Sequence, residues 1–356
     1  MKKGEIMSLT REQELAIQVL LNRYNNNEKI SILQGPAGSG KSYLLSHFME
    51  YLSYSSEEVA FAAFTGTAAK ILMNKGLNAS TIHKLIYTPI MRRGVCIGFK
   101  KKTKEDLVHL KLIVVDEFSM VSDILLKDLL SFNIPLVLVG DSAQLPPIGN
   151  TNKLINTAHA ILTEPVRQAL DNPVLWAANQ VRTGNTLSFG VHGGVVLVGA
   201  KKDLKEEWMR PEVKIIAGLN ATRHKINEFV AKSNTPQSGH KIIFLKNDWP
   251  KMITNGTIAD INYLQQISFN NFKLDFTTEE GESYNSYPAD FQRQLNPKNQ
   301  FFDFAYSLTA HKAQGATYDS PGLIIDESQY FREFKTNWLY TAITRYTGNY
   351  NVAILK

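Results

Sequence analysis

Three groups of residues along this chain have the types and spacing for chemistry on phosphates. Gly35-Pro36-Ala37-Gly38-Ser39-Gly40-Lys41-Ser42 satisfies G-x-x-x-x-G-K-[ST] at every fixed position. Glycines at these places let successive backbone N–H groups turn inward around phosphate oxygens. The helix that follows offers its positive end, Lys41 reaches the β and γ phosphates, and the Ser42 hydroxyl is a ligand for Mg²⁺. The second group is Asp116-Glu117, which ends the apolar run Lys111 to Val115. Adjacent carboxylates at a strand end repel one another unless a cation lies close. Asp116 is therefore expected on Mg²⁺ through water, with Glu117 as the base that orients and deprotonates an attacking water. A structural salt-bridge pair is the plainer alternative. The third is Gln144, in Gly140-Asp141-Ser142-Ala143-Gln144-Leu145-Pro146-Pro147-Ile148-Gly149, where two prolines stiffen the loop. Its amide would project from the carboxyl edge of a sheet, suited to sensing a γ-phosphate.

The elements that must hold these groups are also legible. Lys29 to Gln34 reads as a short buried strand, and Tyr43, Leu44, Leu45, Phe48, Met49 and Leu52 carry helical spacing. Strand, glycine loop and helix thus arrive in the required order, which speaks against an ordinary Gly/Ser turn. Ile134 to Val139 is a continuous apolar run of the parallel-sheet kind. Upstream, Ile17, Leu20, Leu21 and Tyr24 mark an amphipathic helix whose start, Thr10 with Gln13, fits a capping box. The same Gln13 amide could pair with the edge of adenine, and the local pattern leaves both roles open. Thr65-Gly66-Thr67-Ala68-Ala69-Lys70 and Ser80-Thr81-Ile82-His83-Lys84-Leu85 are polar turns entering helices, each suited to a phosphate or to a plain N-cap.

Residues 88–105 break the α/β rhythm with Arg92, Arg93, Lys100, Lys101, Lys102 and Lys104 around Phe99, and read as a basic hairpin inserted in the first domain. Either the run is a solvated charged loop, or Phe99 stacks on a base while the cations hold phosphates. From about 158 the pattern restarts with a strand at Ala158 to Leu162, then Thr163-Glu164-Pro165-Val166-Arg167-Gln168 and a helix through Val181. Val213 to Ala217 is another buried strand, with Asn220, Arg223, His224 and Asn227 after it. Residues 184–210 resist assignment. Residues 240–300 alternate between Asn-Gly and Glu-Gly turns and predict a small antiparallel barrel. The α/β pattern resumes at Asp303 to Leu308 and closes with Tyr350 to Leu355. The expected domains are 1–157, then 158–239 with 301–356, and an inserted barrel at 240–300.

The bulk figures bound the function without naming it. A chain of 356 residues holds two or three domains at ~100–200 residues each. The net charge of +6 is a mild bias towards polyanionic partners. Cys96 is the single cysteine, which excludes an intramolecular disulfide or a thiolate zinc cluster and suits a reducing compartment. No apolar run approaches the ~20 residues of a membrane span. A soluble cytoplasmic protein of a prokaryotic or phage-infected cell is expected.

The order of the motifs adds a resemblance. AFTGTAAK, STIHKL, VVDEFSM, GDSAQLPPIG, LTEPVRQ, YSLTAHKAQGATYD and LYTAITRYT, taken in succession with the phosphate loop, resemble the superfamily 1B DNA helicases, the group of RecD-like, Dda-like and Pif-type enzymes. The resemblance runs from Leu9 to about Thr347. It implies an α/β fold of two RecA-like parallel-sheet domains with an inserted β-hairpin and an SH3-like barrel. It further implies ATP and Mg²⁺ as cofactors. Gly35, Gly38, Ser39, Gly40, Lys41 and Ser42 would hold the phosphates, Gln13 would read adenine, and Gly315 would lie on the nucleotide side of its loop. Arg167 and Arg345, from the second domain, would serve as arginine fingers. Thr65, His83, Asn220, Thr309 and His311 would lie near a single strand, and Phe99 would be a stacking residue on a wedge. The implied activity is ATP-driven translocation on single-stranded DNA and unwinding at DNA forks by a monomer, alongside replication or recombination proteins. The 5′-to-3′ polarity comes from the resemblance alone. A translocase that strips bound proteins and unwinds weakly, a nucleotide-gated binding module, and RNA as substrate are the competing readings.

Overall fold

The computed structural model describes residues 9–92, 95–146, 153–166, 171–246, 248, 251, 253, 255–279, 281–291 and 300–356. The chain divides into two units, Met1–Tyr87 with Lys101–Asp171, and Thr88–Lys100 with Asn172–Lys356.

The first unit follows the order α1 (Arg11–Asn25), β1 (Ile30–Gln34), α2 (Lys41–Leu52), β2 (Val59–Ala63), α3 (Gly66–Asn74), β3 (Ala79–Thr81) and α4 (Ile82–Ile86). A hairpin of β4 (Tyr87–Arg92) and β5 (Val95–Lys101) comes next, then β6 (Leu112–Asp116), α5 (Asp123–Leu130), β7 (Leu136–Gly140) and β8 (Ala160–Ile161). The sheet order is β3-β2-β6-β7-β1-β8, with every pair parallel. Both faces are buried, which is why the strands are continuous apolar runs. Leu33, Phe61, Val114 and Val137 pack with α1, α2 and α3 on one face, while Ile32, Ala60, Ile113 and Leu138 pack with α4 and α5 on the other.

Two expectations are corrected here. The strand expected at Ala158 to Leu162 in the second domain is β8, Ala160–Ile161, and it pairs with β1, Leu33 opposite Ala160 and Gln34 opposite Ile161. Leu162 N donates to Gln34 O at 2.8 Å and His159 N to Ile32 O at 3.0 Å, so the free edge of β1 captures this segment. The division accordingly falls at Asp171/Asn172, not at 157/158. The hairpin expected at 88–105 in the first domain spans Tyr87–Lys101, and Thr88–Lys100 groups with the second unit. Its two ends belong to the first unit and converge on Asp128 of α5, which accepts from the Tyr87 hydroxyl and pairs with Lys101 Nζ at 3.1 Å.

The second unit contains α6 (Pro173–Arg182), β9 (Gly190–His192), β10 (Val196–Gly199), β11 (Lys214–Ala217) and α7 (Asn220–Ala231). The barrel strands β12 (Lys241–Phe244), β13 (Ile258–Ser268), β14 (Asn271–Thr278), β15 (Ser283–Phe291) and β16 (Gln300–Phe304) follow. The unit ends with β17 (Ser307–Thr309), β18 (Gly322–Ile325), α8 (Lys335–Ile343) and β19 (Val352–Leu355). Its sheet has the order β17-β11-β18-β19-β10-β9, parallel except for β9 at the edge. Strands β9 and β10 fill the stretch that the sequence left unassigned. The barrel is closed, with β15–β16 as its one parallel pairing among the described strands. Its interior is aromatic, with Phe244, Phe276, Tyr287 and Phe302 each under 2 % exposed. Asp303 belongs to the last barrel strand, so the α/β pattern resumes at Ser307 instead of Asp303. No described helix is long and apolar enough to cross a membrane.

Candidate functional site

Because β6, β7 and β1 are neighbours and parallel, their C-terminal ends share one edge of the first sheet. The carboxylate pair, the Gln144 loop and the phosphate loop therefore emerge side by side, where open α/β sheets bind ligands. Gly35 N donates to Gly140 O at 3.1 Å, tying the loop start to the end of β7. Gly38 and Gly40 take φ of 77° and 80°, in the left-handed region that favours glycine. At Gly40 a Cβ would come within 2.3 Å of Gln13 Nε2, so a side chain there would displace the Gln13 amide besides straining the backbone. Lys41 Nζ donates to Gly35 O at 2.7 Å and Pro36 O at 2.9 Å, folding the ammonium back over the loop. Ser39 is buried and its Oγ has no hydrogen-bond partner among the described residues. An orphaned hydroxyl in a glycine cradle beside a lysine fits a phosphate ligand.

Asp116 Oδ1 accepts from Glu117 N at 2.9 Å. Burial pushes the Asp116 carboxyl above the usual carboxylate range, and the opposing charge of Lys41 limits the rise. Glu117 adopts φ 51°, ψ 42°, a left-handed conformation that a non-glycine residue holds only when its surroundings enforce it. Gln144, 8 % exposed, donates from Nε2 to Glu117 Oε1 at 3.4 Å. Its loop is set by Asp141, whose Oδ1 accepts from Ala143 N at 3.0 Å and whose carbonyl accepts from Gln144 N at 3.1 Å. Among the described residues no cluster of three His, Cys, Asp or Glu side chains could hold a metal ion. The donors present are the exposed Ser42 hydroxyl and the Asp116 carboxylate. That set fits Mg²⁺, which takes one or two carboxylates, substrate phosphates and water.

Gln13 is 3 % exposed and performs the capping role in full. Thr10 N donates to Gln13 Oε1 at 2.9 Å, and Gln13 N donates to Thr10 Oγ1 at 3.2 Å. Its Nε2 also donates to Ser39 O at 3.1 Å, which fastens α1 to the phosphate loop. Sequence reasoning missed that second tie, and it missed Glu12, whose Oε1 accepts from Thr163 N at 2.9 Å and Thr163 Oγ1 at 2.7 Å. Arg167 lies outside the described residues, as do Pro147, Ile148 and Gly149. The residue before Arg167, Val166, donates from N to Gly38 O at 2.9 Å. The chain up to Val166 thus runs beside the phosphate loop, and the first unit extends to Asp171, whereas the second domain is expected to carry this motif.

Of the residues expected near a strand, Thr65 and His83 leave the ends of β2 and β3, on the same sheet edge. Thr65 caps α3, accepting from Ala68 N at 3.2 Å. The half-buried His83 ring lies 6.4 Å from Phe64 and 5.8 Å from Tyr87, and burial lowers its pKa. Phe99, on β5, is exposed.

In the second unit, Thr309 and His311 leave β17 while Asn220 leaves the adjacent β11. Thr309 Oγ1 accepts from Lys312 N at 3.3 Å, and Asn220 Oδ1 accepts from Arg223 Nε at 3.4 Å. Gly315 is buried with φ 75°. Arg345, 5 % exposed, donates from Nε to Thr341 O, from Nη1 to Ala316 O and from Nη2 to Thr344 Oγ1, at 3.1, 3.3 and 3.2 Å. Its guanidinium is engaged by its own unit and holds the turn that carries Gly315.

Comparison with known proteins agrees with this arrangement. A family model described as AAA domain matches residues 8–193. The ATP-dependent RecD2 DNA helicase of Deinococcus radiodurans is 27 % identical over 354 residues, covering 89 % of this chain and 46 % of the relative. The ATP-dependent DNA helicase Pif1 of Campylobacter jejuni is 26 % identical over 396 residues, covering 89 % of this chain and 86 % of the relative. This chain thus spans about half the length of the first of these relatives. A solved structure of Pif1 helicases at forked double-stranded DNA superposes with a TM-score of 0.59 at 20 % identity, covering 98 % of this chain and 92 % of that one. At that identity the likeness concerns the fold.

Proposed function

This chain belongs to the AAA domain family and, with it, to the superfamily 1B helicases, and from that premise we propose that it is an ATP-dependent DNA helicase that moves 5′ to 3′ on single-stranded DNA. The observation that carries the reading is the Glu117–Gln144 pair, held at the ends of adjacent strands beside the phosphate loop. That is a base with an orienting amide next to a triphosphate cradle. The backbone N–H groups of Gly38 to Ser42 and the Lys41 ammonium bind the β and γ phosphates. Ser42 and Asp116 would hold Mg²⁺, which neutralises charge developing on the phosphate oxygens. Glu117 takes the proton of the attacking water, and Gln144 fixes its carboxylate for that task.

Arg345 and Arg167 supply the remaining positive charge, a contribution of roughly 10³ to 10⁵ in rate in related nucleotide hydrolases. Arg345 exchanges part of its bonding to Thr341, Ala316 and Thr344 for the γ-phosphate. Loss of that phosphate then returns the guanidinium to its own unit, and this differential contact is what couples hydrolysis to a change of state. Thr65 and His83 of the first unit, and Asn220, Thr309 and His311 of the second, are proposed to contact the strand, with Phe99 on the hairpin as the wedge.

ATP turnover by the full chain, measured with and without a single-stranded oligonucleotide, tests this reading. Stimulation by DNA beyond that given by RNA is expected. Turnover indifferent to either polymer contradicts it.

A further inference from the structure

Phe331 is a meeting point that no sequence motif marks. Strands β17, β11 and β18 are parallel neighbours, so His311, the Gly218–Asn220 turn and the segment after Ile325 leave the same edge of the second sheet. The His311 ring lies 6.2 Å from the Phe331 ring, which also stacks on Trp338 at 5.6 Å and 19°. Gly218 must lack a side chain here, since a Cβ would fall 2.6 Å from Glu327 Cβ and 3.2 Å from the Phe331 ring. Glu327 Oε2 accepts from Gly218 N at 2.9 Å and Leu219 N at 2.8 Å, and its Oε1 from the Thr222 hydroxyl at 2.5 Å. Leu219 is the N-cap of α7, and the Glu327 carboxylate takes its backbone N–H with that of Gly218, tying the start of the helix to the neighbouring strand end. The Tyr330–Phe334 segment is therefore pinned to the edge that carries Asn220, Thr309 and His311.

The pinned segment turns apolar rings and one cation outward. Tyr330 is 60 % and Phe334 40 % exposed, and residues 330–334 line a hollow of about 370 Å³. Arg332 is exposed, joins no ion pair among the described residues, and holds φ 47°, ψ −114°. This conformation marks the kink between the two helical turns of the segment. Exposed rings flanking a cation are the arrangement that takes nucleobases by stacking and their phosphates by charge. Arg332 and Glu333 share the lining with the three rings, so the hollow carries no net charge and offers chiefly aromatic surface.

We propose that Tyr330 and Phe334 form a base-stacking platform for single-stranded DNA, with Arg332 holding the adjacent phosphate. The platform rests on the strand-binding reading above and gives it side chains beyond the motifs. Its test is equilibrium binding of a fluorescent oligothymidine to the full chain over a salt series. The proteins compared are wild type, Tyr330→Ala with Phe334→Ala, Tyr330→Phe, and Arg332→Ala. Removing both rings is expected to weaken binding on the order of 10-fold or more at every salt concentration. Tyr330→Phe should bind as wild type does, and Arg332→Ala should reduce the salt slope by about 0.7. All variants should keep the ATP turnover seen without DNA. Wild-type affinity in the double variant, or an unchanged slope in Arg332→Ala, overturns the platform alone. A wild-type chain that binds no oligothymidine overturns the platform and the strand-binding reading together.

Discussion

The Gln144 amide donates to the Glu117 carboxylate across the ends of two adjacent parallel strands, at 3.4 Å. Glu117 makes that contact from a left-handed backbone, φ 51°. One oxygen of the carboxylate is thereby held by protein, an arrangement suited to the role of base proposed above.

Replacing Glu117 by Gln keeps the size and the loop but removes the proton acceptor. ATP should still bind, while DNA-stimulated turnover should fall by about 10² to 10⁴. Nucleotide binding and single-turnover hydrolysis read the two effects apart, and an unchanged kcat would remove Glu117 as the base.

Gln13 separates its two structural duties by substitution. Gln13→Glu retains the oxygen that accepts from Thr10 N but loses the donor to Ser39 O. With a buried carboxylate oxygen then facing the Ser39 carbonyl, it should melt below wild type and raise the KM for ATP. Gln13→Ala loses both duties and should cost roughly 1 kcal/mol of stability from the cap alone. Thermal melts beside ATP titrations check this, and a Gln13→Glu protein with wild-type KM would show that the tie to the loop is idle.

Helix α7 fastens the barrel to the second sheet through buried polar groups. Arg223 Nη2 pairs with Asp303 Oδ2 at 2.7 Å, with side chains 4 % and 2 % exposed. Asn227 Nδ2 donates to Phe304 O and Ser307 O, and its Oδ1 accepts from Ser307 N. Arg223→Ala removes the permanent cation from the buried Asp303 carboxylate, leaving it Phe304 N at 2.8 Å and the His224 ring at 3.6 Å, and should cost about 3 kcal/mol. Urea unfolding measures it, and a loss below about 1 kcal/mol would mean the pair is dispensable.

Burial lowers the pKa of His83, His240 and His311 below the ordinary histidine value of about 6.5. The unfolded chain then binds more protons than the folded one just below that value. Stability from these groups is thus complete above pH ~6.5 and declines as pH falls through the lowered values. Titration of the histidine ring protons by NMR should give midpoints below about 6.5 for all three, and midpoints at or above it would reverse the sign.

Much of the site was legible because its residues are constrained by local order. A strand, a glycine loop and a helix must follow one another for Lys41 and Ser42 to work, and Asp116-Glu117 must end a strand. Side-by-side placement of the phosphate loop, the carboxylates and Gln144 then follows from parallel strand order. Features resting on long-range pairing were not readable. The two residues Ala160 and Ile161 carry no pattern that tells which sheet edge takes them, so sequence alone places the domain border too early. Asp303 reads equally well as barrel or α/β strand, since its neighbours Phe302 and Phe304 are buried either way. Glu327 looked like any carboxylate after a strand, and only the fold brings it to the start of α7.

Strand displacement from a duplex bearing either a 5′ or a 3′ single-stranded tail, with and without ATP, tests the motor most directly when wild type is run beside Lys41→Ala. The expected result is ATP-dependent separation of the 5′-tailed duplex by wild type and none by Lys41→Ala. Separation without ATP, or equal separation by the two proteins, would contradict it.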